Sequence, residues 1–564
     1  MKLPTLRRQF FNPATIPEDL SAGLVLGIQS IPDGLATGLL ALVNPVYGLY
    51  SYMTGVFIGA FFTSSVFISV QATSAMALII ASVPEVTEAA SPNIPLFTLA
   101  VLTGVLMLAA GLFKLGRLVR FVPNSVMVGF VNAVALLIIL GQLDNWTGYQ
   151  SSGPNRLVRT FDLLLHLDQM HRPTLVIGIL TIILILTLER TRLGALGMVV
   201  AIFFASLIVP FTGAENVALA RYVADIPNSL PTPVLPSLSF VPALIIPALS
   251  LAFVGLVQGA GISASVPNPD GSTPDASGDF VGQGVAGIVA GLFQGMPVAS
   301  SMSATSLVIA AGARSRLANI FAGIVIALSV VFFGRLVGAI AMPALAGLLI
   351  VIGCRTFKFS QMTSVWKTGL TQQIVMLLTF IACLLMPLQY AVLLGVGLAV
   401  LLYVIQQSNR VQVVAWRVEP GQYPLEVEPP KEVPSGQVTI LVPYGSLFFA
   451  AAPVFKEQLP TVTENSRHAV VILRLRSETD LGSTFLGVLT RYGEALRSQE
   501  SLLMLVGVAP SVRRQLERTG MLRSLGRENV FLSNSLVGHG LEEAVDAAEA
   551  WIAARSVPID RSSS

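Results

Sequence analysis

Two stretches of this 564-residue chain set small hydroxyl residues at the mouth of a short apolar run: Gln71-Ala72-Thr73-Ser74 and Ala299-Ser300-Ser301-Met302-Ser303. A helix that begins there leaves its first backbone N–H groups free and carries the positive end of its dipole beside them. Two such ends facing each other would hold an anion without any full positive charge. Thr and Ser also serve as ordinary helix caps. Capping alone does not explain two short helices at matching positions, so the anion site is the favoured reading.

Two further polar residues lie inside apolar runs. Asp33 follows Pro32 in the middle of the first run, where a charge costs roughly 2.5–3.5 kcal/mol on insertion scales. It is either a site for a coupling proton or sodium ion or a cap at a break in the helix at Pro32, and both readings stay open. Gln258, in the segment GLVQGAG, is placed to donate to a substrate oxygen. A hydrogen bond between helices is the competing use.

Other chemistries find no support. Gly282-Gln-Gly-Val-Ala-Gly287 fits a dinucleotide pattern, but no strand precedes it, and helix packing is the better reading. No phosphate-cradling Gly-Lys-Ser loop is present, and His166, His171, His468 and His539 lack metal-ligand spacing. Cys354 and Cys383 fall in apolar stretches and suggest neither a disulfide framework nor zinc. The net charge of +3 is too small to argue for nucleic acid. No metal and no organic cofactor is expected.

The elements that carry these residues are those of a membrane protein. The chain is 53% hydrophobic and 12% charged, with a mean hydropathy of +0.74, about half the charge of a soluble globular chain. A helix needs about 20 residues to cross a hydrocarbon core. Eleven apolar runs qualify as spans: Leu20–Leu40, Tyr47–Val66, Leu96–Leu115, Phe121–Leu140, Leu175–Leu188, Leu193–Phe211, Phe240–Ile262, Leu317–Phe333, Leu336–Gly353, Ile374–Met386 and Leu388–Ile405, with a shorter Gly-rich run at Phe280–Phe293. Val70–Val83 and Val298–Ala311 are too short to span and read as half-helices, each third in its group. The count is seven plus seven, an inverted repeat with its transport site at the half-helices.

Basic residues test this topology. With the N-terminus inside, the inner segments hold thirteen Lys and Arg (Lys2, Arg7, Arg8, Lys114, Arg117, Arg120, Arg190, Arg192, Arg314, Arg316, Arg355, Lys358, Lys367) against five outside (Arg156, Arg159, Arg172, Arg221, Arg335). The bias predicts cytoplasmic termini and an outer loop from Asp144 to Arg172; the acidic inner loop Ser265–Asp279 runs against it. Residues 1–19 read as a cytoplasmic segment and 20–407 as the membrane domain, its first span an uncleaved anchor. Residues 408–434 read as a Pro- and Glu-rich linker, 435–556 as a small α/β domain and 557–564 as a tail. Its strands are expected at Val438–Val442, Ala469–Leu473 and Leu502–Val508, and its helices at Pro453–Thr463, Ser483–Ser498, Pro510–Thr519 and Leu541–Ala554.

The opening DLSAGLVLGIQSIPDGLATGLLALVNPVYGLYS and the later PVASSMSATSLVIAAGARSRLANIFAG resemble the first-helix and tenth-helix signatures of the sulfate permease family of anion transporters. The C-terminal segment, with Thr479-Asp480-Leu481-Gly482-Ser483 at the place of an Asp-Ser-Ser-Gly turn, resembles a STAS domain. The resemblance implies a secondary transporter or exchanger of small anions such as sulfate or bicarbonate. It also implies a homodimer in a cell membrane, here a bacterial inner membrane, and a STAS domain that serves assembly or a regulatory partner. Substrate would lie at Ala72, Thr73, Ser74, Gln258, Ser300, Ser301, Met302, Ser303 and Ala304. Family members usually carry an amide at Asp33, a carboxylate at Gln258 and an arginine at Ala304. Dicarboxylate or nucleobase uptake on the same fold, or an anion sensor or channel with STAS output, are the alternatives.

Overall fold

The protein is described by a computed structural model covering residues 15–88, 93–117, 122–153, 155–194, 196–209, 217–220, 229–418, 423–476, 478–536 and 538–556. Lys2, Arg7, Arg8, Arg120, Arg221 and the tail from 557 lie outside the described residues. The chain divides into two compact units, 1–399 and 400–564.

In the first unit the apolar runs become helices whose starts are fixed by proline and by capping side chains. The first half comprises α1 (Ile16–Leu40), α2 (Pro45–Phe62), β1 (Ser69–Gln71), α3 (Ser74–Ile80), α4 (Asn93–Leu112), α5 (Asn124–Leu140), α6 (Arg172–Leu188) and α7 (Leu196–Ile208). The second comprises α8 (Val241–Ser265), α9 (Ala276–Leu292), β2 (Ala299–Ser301), α10 (Met302–Ala310), α11 (Leu317–Gly338), α12 (Met342–Thr356), α13 (Leu370–Leu385) and α14 (Leu388–Ser408). The Asn44 side chain accepts from Val46 N–H ahead of Pro45, and Asp275 accepts from Ser277 N–H, so α2 and α9 begin where a cap stands. Among the described residues seven helices are long and apolar enough to cross a membrane, and α6, α7 and α13 are apolar but shorter. The expected full spans are therefore fewer than eleven.

Packing between the halves is reciprocal. α1 packs on α11 as α8 packs on α4, α2 on α11 as α9 on α4, and α5 on α13 as α6 on α12. Close approach is what Gly allows: a Cβ at Gly284 would lie 2.4 Å from Leu108 N, and one at Gly104 2.5 Å from Ile288 N. Within the glycine pattern of 282–287, Gly284 and Gly287 thus serve the α4–α9 contact and Gly282 meets Thr63 at the end of α2, so the pattern is helix packing as expected.

Two buried carboxylates tie the helix ends together. Asp19 accepts from Arg314 N–H (2.7 Å), Ser315 N–H (2.9 Å) and the Ser315 hydroxyl (2.6 Å). Asp279 accepts from Ser65 N–H and its hydroxyl (both 2.7 Å), from Ser64 (2.9 Å) and from Ser263 (2.6 Å). Asp279 is therefore a buried anchor within the acidic 265–279 stretch, which explains a carboxylate there against the basic trend. Arg316, 3% exposed, donates to the Ala60 and Ser64 carbonyls at 3.0 Å each.

The half-helices are shorter than their apolar runs. Residues 69–71 and 299–301 are extended and pair antiparallel, Ser69 opposite Ser301 and Gln71 opposite Ala299, so α3 has 7 residues and α10 has 9.

The second unit is one six-stranded sheet between two layers of helix. Its strands are β3 (Gln412–Arg417), β4 (Leu425–Val427), β5 (Val438–Tyr444), β6 (Val470–Arg474), β7 (Leu502–Val508) and β8 (Val530–Leu532), in the order β4-β3-β5-β6-β7-β8. β5 to β8 are parallel, and β3 is antiparallel to β4 and β5. Side chains alternate between faces. Leu441, Val471, Leu473 and Leu505 pack with Phe455 and Phe485; Ile440, Val470, Ile472 and Met504 pack beneath Leu541, Ala544 and Ala548.

Two expectations change here. The stretch 408–434 is not a free linker, because β3 and β4 within it belong to the sheet; the prolines and glutamates around them masked two short strands, QVVAWR and LEV. The helix expected over Pro453–Thr463 stops at Gln458, ahead of Pro460.

Truncation at Pro434 strips β3 and β4 of β5, whereas truncation after Asn409 removes the sheet whole. The shorter chain should therefore be recovered as a monodisperse species in better yield, as read by fluorescence-detected size-exclusion chromatography. Equal or lower yield from the Asn409 truncation would mean that β3 and β4 stand without the sheet.

Candidate substrate site

Backbone that leaves the helical path inside a membrane must find other partners for its N–H and C=O groups. At 69–71 and 299–301 the two segments supply them to each other. The short pair is then fixed by side chains from three helices. Ser69 N–H donates to Thr305 Oγ1 (3.1 Å) and the Ser69 hydroxyl to Asn319 Oδ1 (2.7 Å), while Asn319 Nδ2 donates to the Phe67 and Ile68 carbonyls. On the other side Ser300 N–H donates to Gln283 Oε1 at 3.0 Å. Gln283 is fully buried and lies against Gly259 of α8, where a Cβ would sit 2.3 Å from its Nε2.

The two caps define the open ends. Thr73 Oγ1 accepts from Met76 N–H at 3.4 Å to start α3 and donates to Gln258 Oε1 at 3.2 Å. Ser301 Oγ accepts from Ala304 N–H at 3.4 Å to start α10 and receives Gln71 Nε2 at 3.4 Å. Its hydroxyl also lies 3.1 Å from that of Ser303. Six of the sequence-predicted residues, Ala72, Thr73, Ser74, Ser300, Ser301 and Gln258, thus fall on or beside the strand pair. With Thr73 held by its carbonyl, Gln258 has its amide N–H groups left to donate.

The others divide. Met302 and Ser303 are exposed in the first turn of α10. Ala304 is 5% exposed, and its methyl packs with Ala22, Leu26, Val56 and Val308. Only its backbone N–H is directed to the cap, so an arginine side chain at 304 would have to leave an apolar cluster. Asp33 lies half-buried in α1, which runs through Pro32 to Leu40 without ending. It therefore caps no helix end. Among the described residues no hydrogen-bond donor reaches its carboxylate; its carbonyl accepts from the Thr37 hydroxyl (2.7 Å), which in turn lies 3.1 Å from Tyr52 OH.

Sequence reasoning missed Gln283, Asn319 and Thr305. Gln283 stood inside a glycine pattern read as packing alone, and i,i+4 spacing from Asp279 on α9 was the signal that could have found it. Among the described residues no group of His, Cys, Asp or Glu could hold a metal ion.

Known proteins agree with this architecture. The profile of the sulfate permease family matches residues 16–381, and that of the STAS domain matches 429–535. A probable sulfate transporter of Mycobacterium tuberculosis is 27% identical over 528 residues, covering 91% of this chain and 93% of its own. A chloroplastic sulfate transporter of Arabidopsis thaliana is 24% identical over 91% of this chain and 78% of its own. In fold, the murine solute carrier 26 member A9 anion transporter superposes with a TM-score of 0.83 over 97% of this chain and 93% of that one, at 19% identity. The transmembrane domain of a cyanobacterial bicarbonate transporter covers 69% of this chain and 99% of its own, with a TM-score of 0.59 and 20% identity. The chain belongs to the sulfate permease family, with a STAS domain behind its membrane region.

Proposed function

We propose that this chain is a secondary active transporter or exchanger of small inorganic anions, of the sulfate or bicarbonate class, with substrate held at the open ends of the β1–β2 pair. The observation that carries this reading is the convergence of two hydroxyl-capped helix starts and the Gln258 amide on one paired strand. It offers neutral donors where an anion needs them. The names of the relatives support the substrate class. Reciprocal packing of the two halves supports the inverted repeat, and the basic-residue bias supports cytoplasmic termini in a bacterial inner membrane. Assembly as a homodimer and a regulatory partner for the STAS domain belong to the same reading. So does a proton or sodium ion at Asp33.

Ala304, a methyl where the family usually has an arginine, favours a second reading, uptake of a dicarboxylate or nucleobase. Counterflow in liposomes over a panel of anions separates these: an exchanger accelerates under opposing substrate, and a channel or sensor does not. Acceleration by a nucleobase and by no inorganic anion would overturn the main reading.

Two variants test the site. Asp caps a helix as well as Ser does, so Ser301→Asp keeps α10 and sets a carboxylate against the bound anion. Two unit charges about 5 Å apart at an effective dielectric of about 20 oppose each other by roughly 3 kcal/mol. Anion affinity should fall roughly a hundredfold at unchanged expression, as measured by calorimetry; unchanged affinity places the anion elsewhere. Asp33→Asn removes the one carboxylate near mid-span of α1. Transport should lose its pH dependence while the protein still inserts, and an unaltered pH profile in proteoliposomes would remove Asp33 from coupling.

A further inference from the structure

We infer that the short helix Arg156–Leu165, in the connection between α5 and α6, is an interfacial helix whose outward face is seated in the lipid of the bilayer. Its sequence, RLVRTFDLLL, places polar and apolar groups on opposite sides. One side is clamped to the protein. Leu163 is 3% exposed, Arg156 lies over Gly141 at the end of α5, and Asn155 caps the first turn by accepting from Val158 N–H at 2.9 Å. The preceding loop folds back onto the same helix. Ser152 N–H (2.8 Å) and Tyr149 OH (3.2 Å) donate to Asp162 Oδ2, and Arg159 Nε donates to the Gly153 carbonyl (3.1 Å). The Ser152 N–H holds the Asp162 carboxyl below the usual carboxylate range, so the clamp is intact at neutral pH.

The opposite arc is apolar. Val158, Phe161, Leu164 and Leu165 are 42%, 67%, 55% and 80% exposed, and at 100° per residue they fall within one sector facing away from Leu163. Four such side chains left in water would be an unusual patch for a connection. Chain position says what covers them. The helix lies between the end of α5 and the start of α6, at the same membrane face, and α6 itself turns Val176, Ile179 and Ile183 outward at 60%, 41% and 51% exposure. The apolar arc therefore continues a lipid-facing surface. A helix with one apolar face and Arg at its polar edge suits the boundary between headgroups and acyl chains. Because it packs on α5, it holds the end of that helix at one interface.

Site-directed spin labelling of the full chain in nanodiscs tests this, with Cys354→Ser and Cys383→Ser as background and single cysteines at Phe161, Leu164, Leu165, Arg159 and Asp168. Labels at 161, 164 and 165 should collide with oxygen several-fold more than with a water-soluble nickel chelate. The label at Asp168 should show the reverse, and Arg159 an intermediate ratio. Nickel access at 161, 164 and 165 equal to that at 168 would put the arc in water and overturn the inference. Loss of access to both reagents would show the arc covered by protein, a second copy for instance, and would overturn it as well. Loss of expression in one variant leaves the other two positions to decide. None of these readouts depends on which substrate is carried.

Discussion

A chain that stops being helical at membrane depth must satisfy its own backbone, and the antiparallel pairing of 69–71 with 299–301 is how this protein does so. In lipid an unpaired N–H or C=O costs several kcal/mol, so neither segment could be extended alone. Each half of the chain supplies the partner for the other. This explains why the break occurs twice, at corresponding places, and why the two short helices that follow begin at opposite ends of one strand pair. The proposed site is a by-product of that pairing: hydroxyls that cap the helices, and amides that hold the strands, are already present for structural reasons.

The same need for internal satisfaction extends to the helix ends. Asp19 and Asp279 each hold a loop contributed by the opposite half, 314–315 and 64–65 respectively. Arg316 reaches back to carbonyls at 60 and 64. A buried charge that loses its hydrogen bonds is costly, so these residues make the exchange of loops between halves hard to undo. Above them on α9, Gln283 receives Ser300 N–H one helical turn from Asp279. One face of one helix therefore sets both where β1 is entered and where β2 lies.

Much of this was legible in the residues, and the reason differs by feature. The long apolar helices follow from apolar runs and their breaks, and the half-helices from runs too short to span. Their true starts were harder to see, since Val70 and Val298 extend the apolar run backwards into what is strand. Apolarity does not distinguish a buried strand from a buried helix turn. β3 was hidden for the opposite reason: Gln412–Arg417 has a clear strand pattern, but it was read with the prolines that follow it. Asn319 was invisible because a polar residue inside a packed helix announces a partner without naming it, whereas the spacing of Gln283 from Asp279 was overlooked within a glycine pattern. Ala304 shows the limit of resemblance, since the position matches while the side chain enters an apolar cluster.

That last contrast bears on how the site handles charge. With a methyl at 304 and an amide at 258, the donors that meet at the strand ends are neutral, and α3 and α10 are only 7 and 9 residues long. A short helix has few peptide dipoles, and the effect falls off within a turn, so in the proposed site hydroxyl and amide groups would carry more of the recognition than the dipoles. Each neutral hydrogen bond contributes about 1 kcal/mol, which favours weak binding and ready release over tight capture. Asp33, on a helix that packs against both α3 and α10, adds a negative group to the same region. Under the proposed reading an anion and an ionised Asp33 would oppose each other there, so a proton or cation at that carboxylate would lower the cost of loading the anion without any fixed positive charge.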